Sequence, residues 1–546
     1  MQLSRSTRRP MRIAAWATLT LALAACSEGI PTGPGERMDL PRPSAVVAPV
    51  GFTGDIRIGV IESATLVRVG ADGDWTLTAK GTGATLLTGT GGMVDVTLES
   101  ATASQTFYRL QVVCTAAALL PARIADAESK GYVTFTEFVP AANCYRFFVG
   151  EFASNASFSI RNAFRNQAIA DGVAGTDSFW ALKTTPGAAS RLRAQRGADV
   201  VYSDGPMVLT AANDGLVRIG SRLYRGRAEV GANSSAALAG INELPLEEYM
   251  YGVVPRELSP VIWPELEALK AQAVAARTYA VRGLGKRRAD GYDLFATITD
   301  QVYGGYQDEH PVSNRAVDET AGVVATYNGQ LIEALFYSTS GGHTASNEES
   351  FNSAPVPYLR GVPDAQRGNS LNNGNFRELK NSPNPKSLRA ASNGDFESDW
   401  SNYHRWTFTW TADELRQMLS SVRGADVGQV LAVNALERGM SGRIIVMEFV
   451  TELGGTFTAT KGAIRSTLRS INANGGYVNL PSTLFVMEPT TASDGTITSW
   501  TVWGGGFGHG VGLSQTGAVG QAEKGRSYSD IMLHYYRDIV LETLEY

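Results

Sequence analysis

The chain has 546 residues, 43% of them hydrophobic and 18% charged, with 58 glycines and a formal net charge of −5. That length exceeds one ordinary hydrophobic core and predicts two or three domains, while the composition excludes a disordered chain and fits a loop-rich, β-containing globular protein. The mild acidic excess, with no long basic run in the mature part, argues against nucleic acid as a partner.

From the N-terminus, Arg5, Arg8, Arg9 and Arg12 precede an apolar run from Ile13 to Ala25, the layout of an export signal. That run falls short of the roughly 20 residues a membrane span needs. It ends in Leu23-Ala24-Ala25-Cys26, which is similar to a bacterial lipobox and makes Cys26 the expected lipidated first residue of the mature chain. Residues 1–25 are therefore expected to be a lipoprotein signal peptide, and residues 26–52, proline-rich and aperiodic, a flexible tether. The expected location is extracytoplasmic and membrane-anchored, in the periplasm. Ser27 is not the aspartate that commonly signals inner-membrane retention, which leaves the outer membrane open.

Residues 53–105 alternate in short stretches such as IRIGVI and ATLVRV, punctuated by Gly70, Gly73, Gly81 and Gly91, and read as a small β-rich unit. Over 106–190 the pattern becomes strand (107–113), helix (116–128), strand (133–138), strand (145–149) and helix (158–169). Such an order predicts a split β-α-β unit whose first and third strands are antiparallel neighbours. That arrangement brings Cys114 and Cys144 together, so a disulfide is expected, contributing on the order of 3 kcal/mol by restricting the unfolded chain. The phrases YRLQVV and YRFFVGEFAS resemble SPOR domains, small modules that bind peptidoglycan glycan; an unrelated structural domain is the alternative.

A polar passage at 184–197 marks the expected start of a domain spanning 198–546. Within it, Leu266, Leu269, Ala273, Ala276 and Ala280 recur at helical spacing and the other faces are apolar too, predicting a helix buried on most sides. Lys270 and Arg277, just under two turns apart, share one face of that helix and need acceptors once buried. Glu257 is the candidate partner. Pro255 and Pro260 flank it, which predicts a turn or loop ahead of the helix. There, Trp263 and apolar neighbours would raise its pKa while the two cations would lower it.

Residues 364–399, rich in Asn, Ser, Gly and charge, lack periodicity and are expected to be a surface insertion. Tyr528, Ile531, Met532 and Tyr535 follow i, i+3, i+4, i+7 spacing and predict a closing amphipathic helix, in which His534 reads as structural.

Five motifs recur in order: LPLEEYMYGVVPRELSPVIWPELEALKAQAVAARTYAV from Leu244 to Val281, DQVYGG at 300–305, STSGG at 338–342, GAIRSTL at 462–468 and GFGHGVGLSQTGA at 506–518. From about Val208 onward the chain thereby resembles the stage II sporulation protein D and LytB (SpoIID/LytB) family. The expected fold class is α+β: a β-rich N-terminal region with a ferredoxin-like, SPOR-type unit, then a mixed α+β SpoIID-type catalytic domain. The resemblance implies that Glu257 is the catalytic acid of a lytic transglycosylase acting on peptidoglycan glycan strands. It further implies that His509 and Gln515 contact sugar, that Ser338 or Ser340 hydrogen-bonds substrate, and that Gln301 and Tyr303 line the cleft. Arg465 is a further candidate for ordering the cleft or pairing with Glu257, and Lys270 and Arg277 are expected to belong to a polar network that holds the acid or the substrate. Ordinary helix capping for Glu257 and ordinary turn or packing roles for the other polar residues are the alternatives.

A single carboxyl group suffices for this chemistry. A glycoside hydrolase ordinarily uses two, one to protonate the leaving oxygen and one to activate water or attack the sugar. In a lytic transglycosylase the sugar's own C6 hydroxyl attacks and closes a 1,6-anhydro ring, so one group serves as acid and then as base. A serine hydrolase is unsupported without G-x-S-x-G, and nucleotide binding without G-x-G-x-x-G or a P-loop lysine. Some members of the resembled family carry Cys and His metal ligands near DQVYGG; this chain has no cysteine beyond Cys144 and no H-x-x-x-H among its five histidines. No metal and no cofactor are expected. Expected partners are glycan strands, the membrane through the lipid and a cell-wall amidase. The rival reading is a non-catalytic glycan-binding enhancer of such an amidase, and a structural envelope protein is a third. Sporulation itself does not follow from the resemblance.

Overall fold

Period-two burial organises the first half of the molecule. Ile56 and Ile58, Val67 and Val69, Trp75 and Leu77, and Val94 and Val96 each turn alternate side chains of a strand into one core. The structure, a computed structural model, describes residues 45–47, 52–99, 105–139, 144–185, 191–365, 396–397, 400–471 and 477–545, with backbone alone at 45–47, 470–471 and 477. The expected signal peptide, Cys26 and most of 364–399 lie outside the described residues.

Two sheets share that core. One has seven strands, in the order Leu294–Phe295, Asp55–Ala64, Leu238–Pro245, Arg227–Ala232, Met207–Ala211, Asp74–Ala79 and Thr85–Thr90. The other has six: Asp199–Ser203, Arg191–Arg196, Met93–Glu99, Leu66–Ala71, Val217–Ile219 and Arg222–Tyr224. Residues 53–105 therefore do not form a unit of their own. Asp55–Ala64 pairs with Leu238–Pro245, and Asp74–Ala79 with Met207–Ala211. The passage expected as a boundary contains a strand whose Leu192 and Ala194 are buried. Local alternation reveals that a strand exists but not which distant strand completes its sheet.

Residues 105–185 are inserted between two paired strands, since Arg191 lies opposite Glu99 in the antiparallel ladder. The insert is a four-stranded antiparallel sheet in the order Phe179–Thr185, Gln105–Thr115, Cys144–Ala153, Thr134–Val139, with helices α1 (Leu120–Ser129) and α2 (Phe158–Ala170) and its own core of Leu110, Phe147, Val149 and Ala168. Its first and third strands are neighbours, and Cys114 and Cys144 form a disulfide with a Cα–Cα distance of 5.7 Å.

Beyond the sandwich come helices α3 (Leu246–Glu257), α4 (Leu266–Arg282) and α5 (Pro311–Asp318). Helix α4 is sheathed by α3, α5 and two C-terminal helices, which is why Ala268, Leu269, Ala273, Ala276 and Ala280 are all fully buried. A second core lies within 406–502. It comprises the sheet Trp406–Thr411, Ile497–Gly504, Phe485–Thr491, the sheet Val430–Arg438, Ile444–Thr451, Gly455–Thr460, and helices α6 (Ala412–Arg423) and α7 (Gly462–Thr467). A capping box between Thr411 and Glu414 starts α6. The chain then returns to the first core through α8 (Gln515–Ala522) and α9 (Tyr528–Tyr535), whose Ile531, Met532 and Tyr535 are buried. It ends on Val540–Glu545, which pairs in parallel with Ala45–Val47 from the stretch expected as tether. Among the described residues no helix is long and apolar enough to cross a membrane.

Candidate active site

Glu257 is the last residue of α3, not a loop residue. Pro255 sits in the final turn, where its missing N–H costs a single intrahelical bond, and the helix closes with Leu258 N–H donating to Val254 O at 2.9 Å. The half-buried carboxyl is received by neutral donors: Val302 N–H donates to Oε1 at 2.7 Å, and the Gln515 side chain also donates to it. Burial raises its pKa above the ordinary 4.5; the Val302 N–H, the Gln515 side chain and the Arg256 charge oppose that rise without cancelling it.

Neither expected cation meets this acid. Arg277, fully buried, donates to both oxygens of Glu247 at 2.8 and 2.5 Å and to the Val323 carbonyl at 3.1 Å. Lys270 lies 2.7 Å from Glu267 and 2.7 Å from Glu319. The two cations do share a face of α4, but Arg277 meets the start of α3 and Lys270 the end of α5, and Glu257 is ten residues beyond Glu247, about 15 Å along the helix.

The motifs converge on the site with a different division of labour from the one expected. DQVYGG contributes the Val302 N–H; Gln301 is buried, donating to Ala276 O at 3.2 Å and accepting from the Tyr249 hydroxyl at 3.3 Å. Tyr303 donates to Asn242 at 2.8 Å. Gln515 opens α8 and bridges the acid to α4, its amide donating to Gln272 Oε1 at 3.3 Å. His509 Nε2 donates to Phe336 O at 3.0 Å and Nδ1 accepts from Val511 N–H at 3.1 Å. Burial lowers its pKa to about 4 against the pull of the Phe336 carbonyl, so the ring is neutral with both nitrogens engaged. Arg465 is in the second core, its Nε donating to Leu480 O at 2.7 Å, and does not pair with Glu257.

Ser338 is partly exposed, its hydroxyl 3.1 Å from that of Thr339 and its carbonyl accepting from Thr516 N–H at 3.0 Å. Ser340 is fully buried, its hydroxyl donating to Glu397. That carboxylate belongs to the stretch expected as a surface insertion, yet it is fully buried together with Asp364. It accepts from Ser340 N–H and hydroxyl (3.1 and 3.0 Å), Gly341 N–H (2.6 Å), Ser514 hydroxyl (3.2 Å) and Thr516 hydroxyl (2.7 Å), and lies 3.2 Å from His404 Nδ1. Its own burial would raise the pKa, but His404 and these donors outweigh that and hold it well below the carboxylate range. Asp364 is pushed up by burial and then by the nearby Glu397 charge. Arg443, also buried, donates to the His343 and Ser340 carbonyls at 2.8 Å each and lies against Gly510, where an added Cβ would fall 2.5 Å from the guanidinium carbon.

Sequence reasoning passed over Glu397 and Gln272. For Glu397 no signal was available, because its donors come from two distant segments, at Ser340–Gly341 and Ser514–Thr516, as well as from nearby His404. For Gln272 one was: an amide flanked by Ala271 and Ala273 in a helix predicted to be buried on most sides; the structure buries it fully, with Nε2 lacking an acceptor among the described residues. No cluster of three His, Cys, Asp or Glu side chains able to hold a metal occurs among the described residues.

These residues define a class of site in which a carboxyl at a helix C-terminus faces the first turn of a second helix across glycine-rich loops. Residues 234–327 match the family model described as "Stage II sporulation protein", and residues 345–512 one described as a domain of unknown function (DUF8618). The chain is 33% identical over 305 residues to the amidase enhancer of Bacillus subtilis (strain 168), an alignment covering 52% of this chain and 39% of that protein. It is 30% identical over 318 residues to the stage II sporulation protein D of Bacillus amyloliquefaciens, covering 55% of this chain and 74% of the relative. It is also 30% identical over 340 residues to an uncharacterized protein of Brachyspira hyodysenteriae, covering 62% and 77%. The chain thus spans under half of the amidase enhancer and about three quarters of the other two. It belongs to the SpoIID/LytB family.

Proposed function

We propose that the protein is a peptidoglycan lytic transglycosylase that cleaves glycan strands in cell-wall remodelling, with Glu257 as its single acid and base. One observation carries this reading: Glu257 is a half-buried carboxyl with a raised pKa and neutral hydrogen-bond partners, so it keeps its proton to higher pH than an ordinary glutamate and can release it to a leaving oxygen. The carboxyls Glu397 and Asp364 are fully buried and engaged in the protein's own polar network, so neither is offered as a second carboxyl for the reaction. Protonated Glu257 donates to the glycosidic oxygen as the bond to the anomeric carbon breaks. The carboxylate, steadied by Val302 N–H and Gln515, then takes the proton of the C6 hydroxyl as that oxygen attacks, forming the 1,6-anhydro ring.

The accessory parts fit the same setting. Lipidation at Cys26 would tether the protein outside the cytoplasm, where the Cys114–Cys144 disulfide is stable. The inserted β-α-β-β-α-β unit would hold glycan as a ferredoxin-like, SPOR-type module. The rival, a non-catalytic enhancer of an amidase, draws support from the relative named amidase enhancer.

Incubation of the protein with peptide-free glycan strands, followed by mass analysis, separates the two. The expected result is release of 1,6-anhydro ends, lowered by about 10²- to 10⁴-fold in Glu257→Gln. Binding without release favours the enhancer, and undiminished release by Glu257→Gln removes Glu257 from the chemistry.

A further inference from the structure

Two aromatic rings stand exposed on the loops that lead to Glu257. Tyr403 and Phe507 are 44% and 37% exposed, yet their rings pack against each other with centroids 4.5 Å apart and an interplanar angle of 36°. Both are held by backbone. Gly506 N–H donates to Tyr403 O at 2.8 Å, and Phe507 exchanges hydrogen bonds with Thr339 at 2.8 and 3.1 Å. The Trp406 indole donates to Gly506 O at 2.9 Å. Gly506, at φ +80°, has Ser340 O where a Cβ would lie at 2.8 Å, so this backbone is seated too tightly for any other residue.

The pair connects to the acid through few steps. Thr339, bridged to Phe507, has its hydroxyl 3.2 Å from that of Thr516, and Thr516 follows Gln515, which donates to Glu257. On the other side, Trp400 lies three residues before Tyr403 and packs its ring 5.8 Å from Trp263, six residues past Glu257. Tyr403 and Phe507 are therefore tied through Thr339 and Thr516 to the segment that carries Gln515, the partner of the acid. Both rings keep over a third of their surface in solvent near the partly exposed Ser338, and rigid aromatic surface beside a hydroxyl suits a ligand that is apolar on one face and hydroxylated at its edge.

We propose that Tyr403 and Phe507 form a sugar-stacking subsite, holding a saccharide ring of the glycan strand away from the bond that Glu257 cleaves. This rests on the reading of the site as glycan-acting and gives a role to part of the region 345–512, matched to a domain of unknown function. A polymer extends past its cleavage point, and contacts there position it for the reaction.

The test measures calorimetric binding of peptide-free glycan strands to the full chain carrying Glu257→Gln, with Tyr403→Ala, Phe507→Ala, Tyr403→Trp or Phe507→Trp added. Each alanine variant is expected to bind about tenfold more weakly, the scale of one lost aromatic contact, with unfolding temperature unchanged. The tryptophan variants are expected to retain affinity. Alanine variants that bind like their parent, or losses that tryptophan does not restore, overturn the subsite while leaving the glycan reading in place. If the parent binds no glycan, the reading of the site falls and the subsite with it.

Discussion

Glu257 and Glu397 stand on opposite sides of one tripeptide, Ser514-Gln515-Thr516. Gln515 serves Glu257, while the hydroxyls of Ser514 and Thr516 serve Glu397. The two carboxyls nonetheless have opposite electrostatics. Glu397 is fully buried, but His404 and several further donors stabilise its charge, and Glu257 is less enclosed but meets so few donors that its charge is disfavoured. Donor count, more than depth, decides which carboxyl is structural and which can give up a proton. One fixes the STSGG and SQT segments; the other keeps a raised pKa beside Gln515.

The largest expected effect on stability is at Glu397. Glu397→Ala strands buried N–H and O–H donors from Ser340, Gly341, Ser514 and Thr516 and is expected to cost roughly 3–5 kcal/mol in denaturant unfolding. Because its folded pKa is lowered, the stability it contributes is present at neutral pH and is lost as pH falls below the ordinary carboxylate value. An unfolding free energy unchanged by the substitution breaks the contrast between the two carboxyls. Next in size is Arg277→Met, which leaves the Glu247 carboxylate and two carbonyls without their guanidinium and is expected to cost about 3 kcal/mol. The pH profile of glycan cleavage is expected to stay in place; a shift couples Arg277 to Glu257 after all.

What the sequence made legible was local. The apolar periodicity of α4 and α9, the strand-helix alternation of the insert and the adjacency of its first and third strands follow from patterns within a few dozen residues. The sandwich was not legible, because Asp55–Ala64 and Leu238–Pro245 carry alternation that any partner could satisfy. Glu257 was found through its motif, while its position at a helix end was hidden by Pro255, read as a helix breaker although the last turn tolerates it. The partners of Lys270 and Arg277 were misread for a related reason: two residues on one helical face share a direction, not a neighbour. Glu397 could not be found at all, since a polar, glycine-rich stretch reads as solvent-facing and its backbone and hydroxyl donors lie 56 to 119 residues away along the chain.

A smaller effect is expected from Glu257→Gln on stability rather than activity. With the folded pKa raised above 4.5, the folded state keeps the Glu257 proton to higher pH than the unfolded chain does. Stability therefore falls as pH rises through the window above 4.5, and the cost remains at neutral pH. Glu257→Gln is expected to unfold at a higher temperature than the parent at pH 7, with the difference vanishing as pH falls below 4.5. The reverse sign places Glu257 with Glu397, as a carboxylate stabilised by its surroundings.

The smallest expected effect sharpens the comparison from the side of the cations. Lys270 is bound to Glu267 and Glu319 near the surface, where ion pairs are screened and each long side chain loses entropy on being fixed. Lys270→Met is expected to cost under about 1 kcal/mol, a difference that shrinks with added salt, because the aliphatic stem still packs while only the charge is lost. Release of 1,6-anhydro ends is expected to be unchanged, since the ammonium faces α5 and α9 rather than Gln515 or Val302. A fall in release with intact stability places Lys270 in contact with substrate, and the acid would then have a cationic neighbour during the reaction. That cation would oppose the rise that burial gives the pKa of Glu257, and the division between a charge-stabilised and a charge-starved carboxyl would hold only for the free protein.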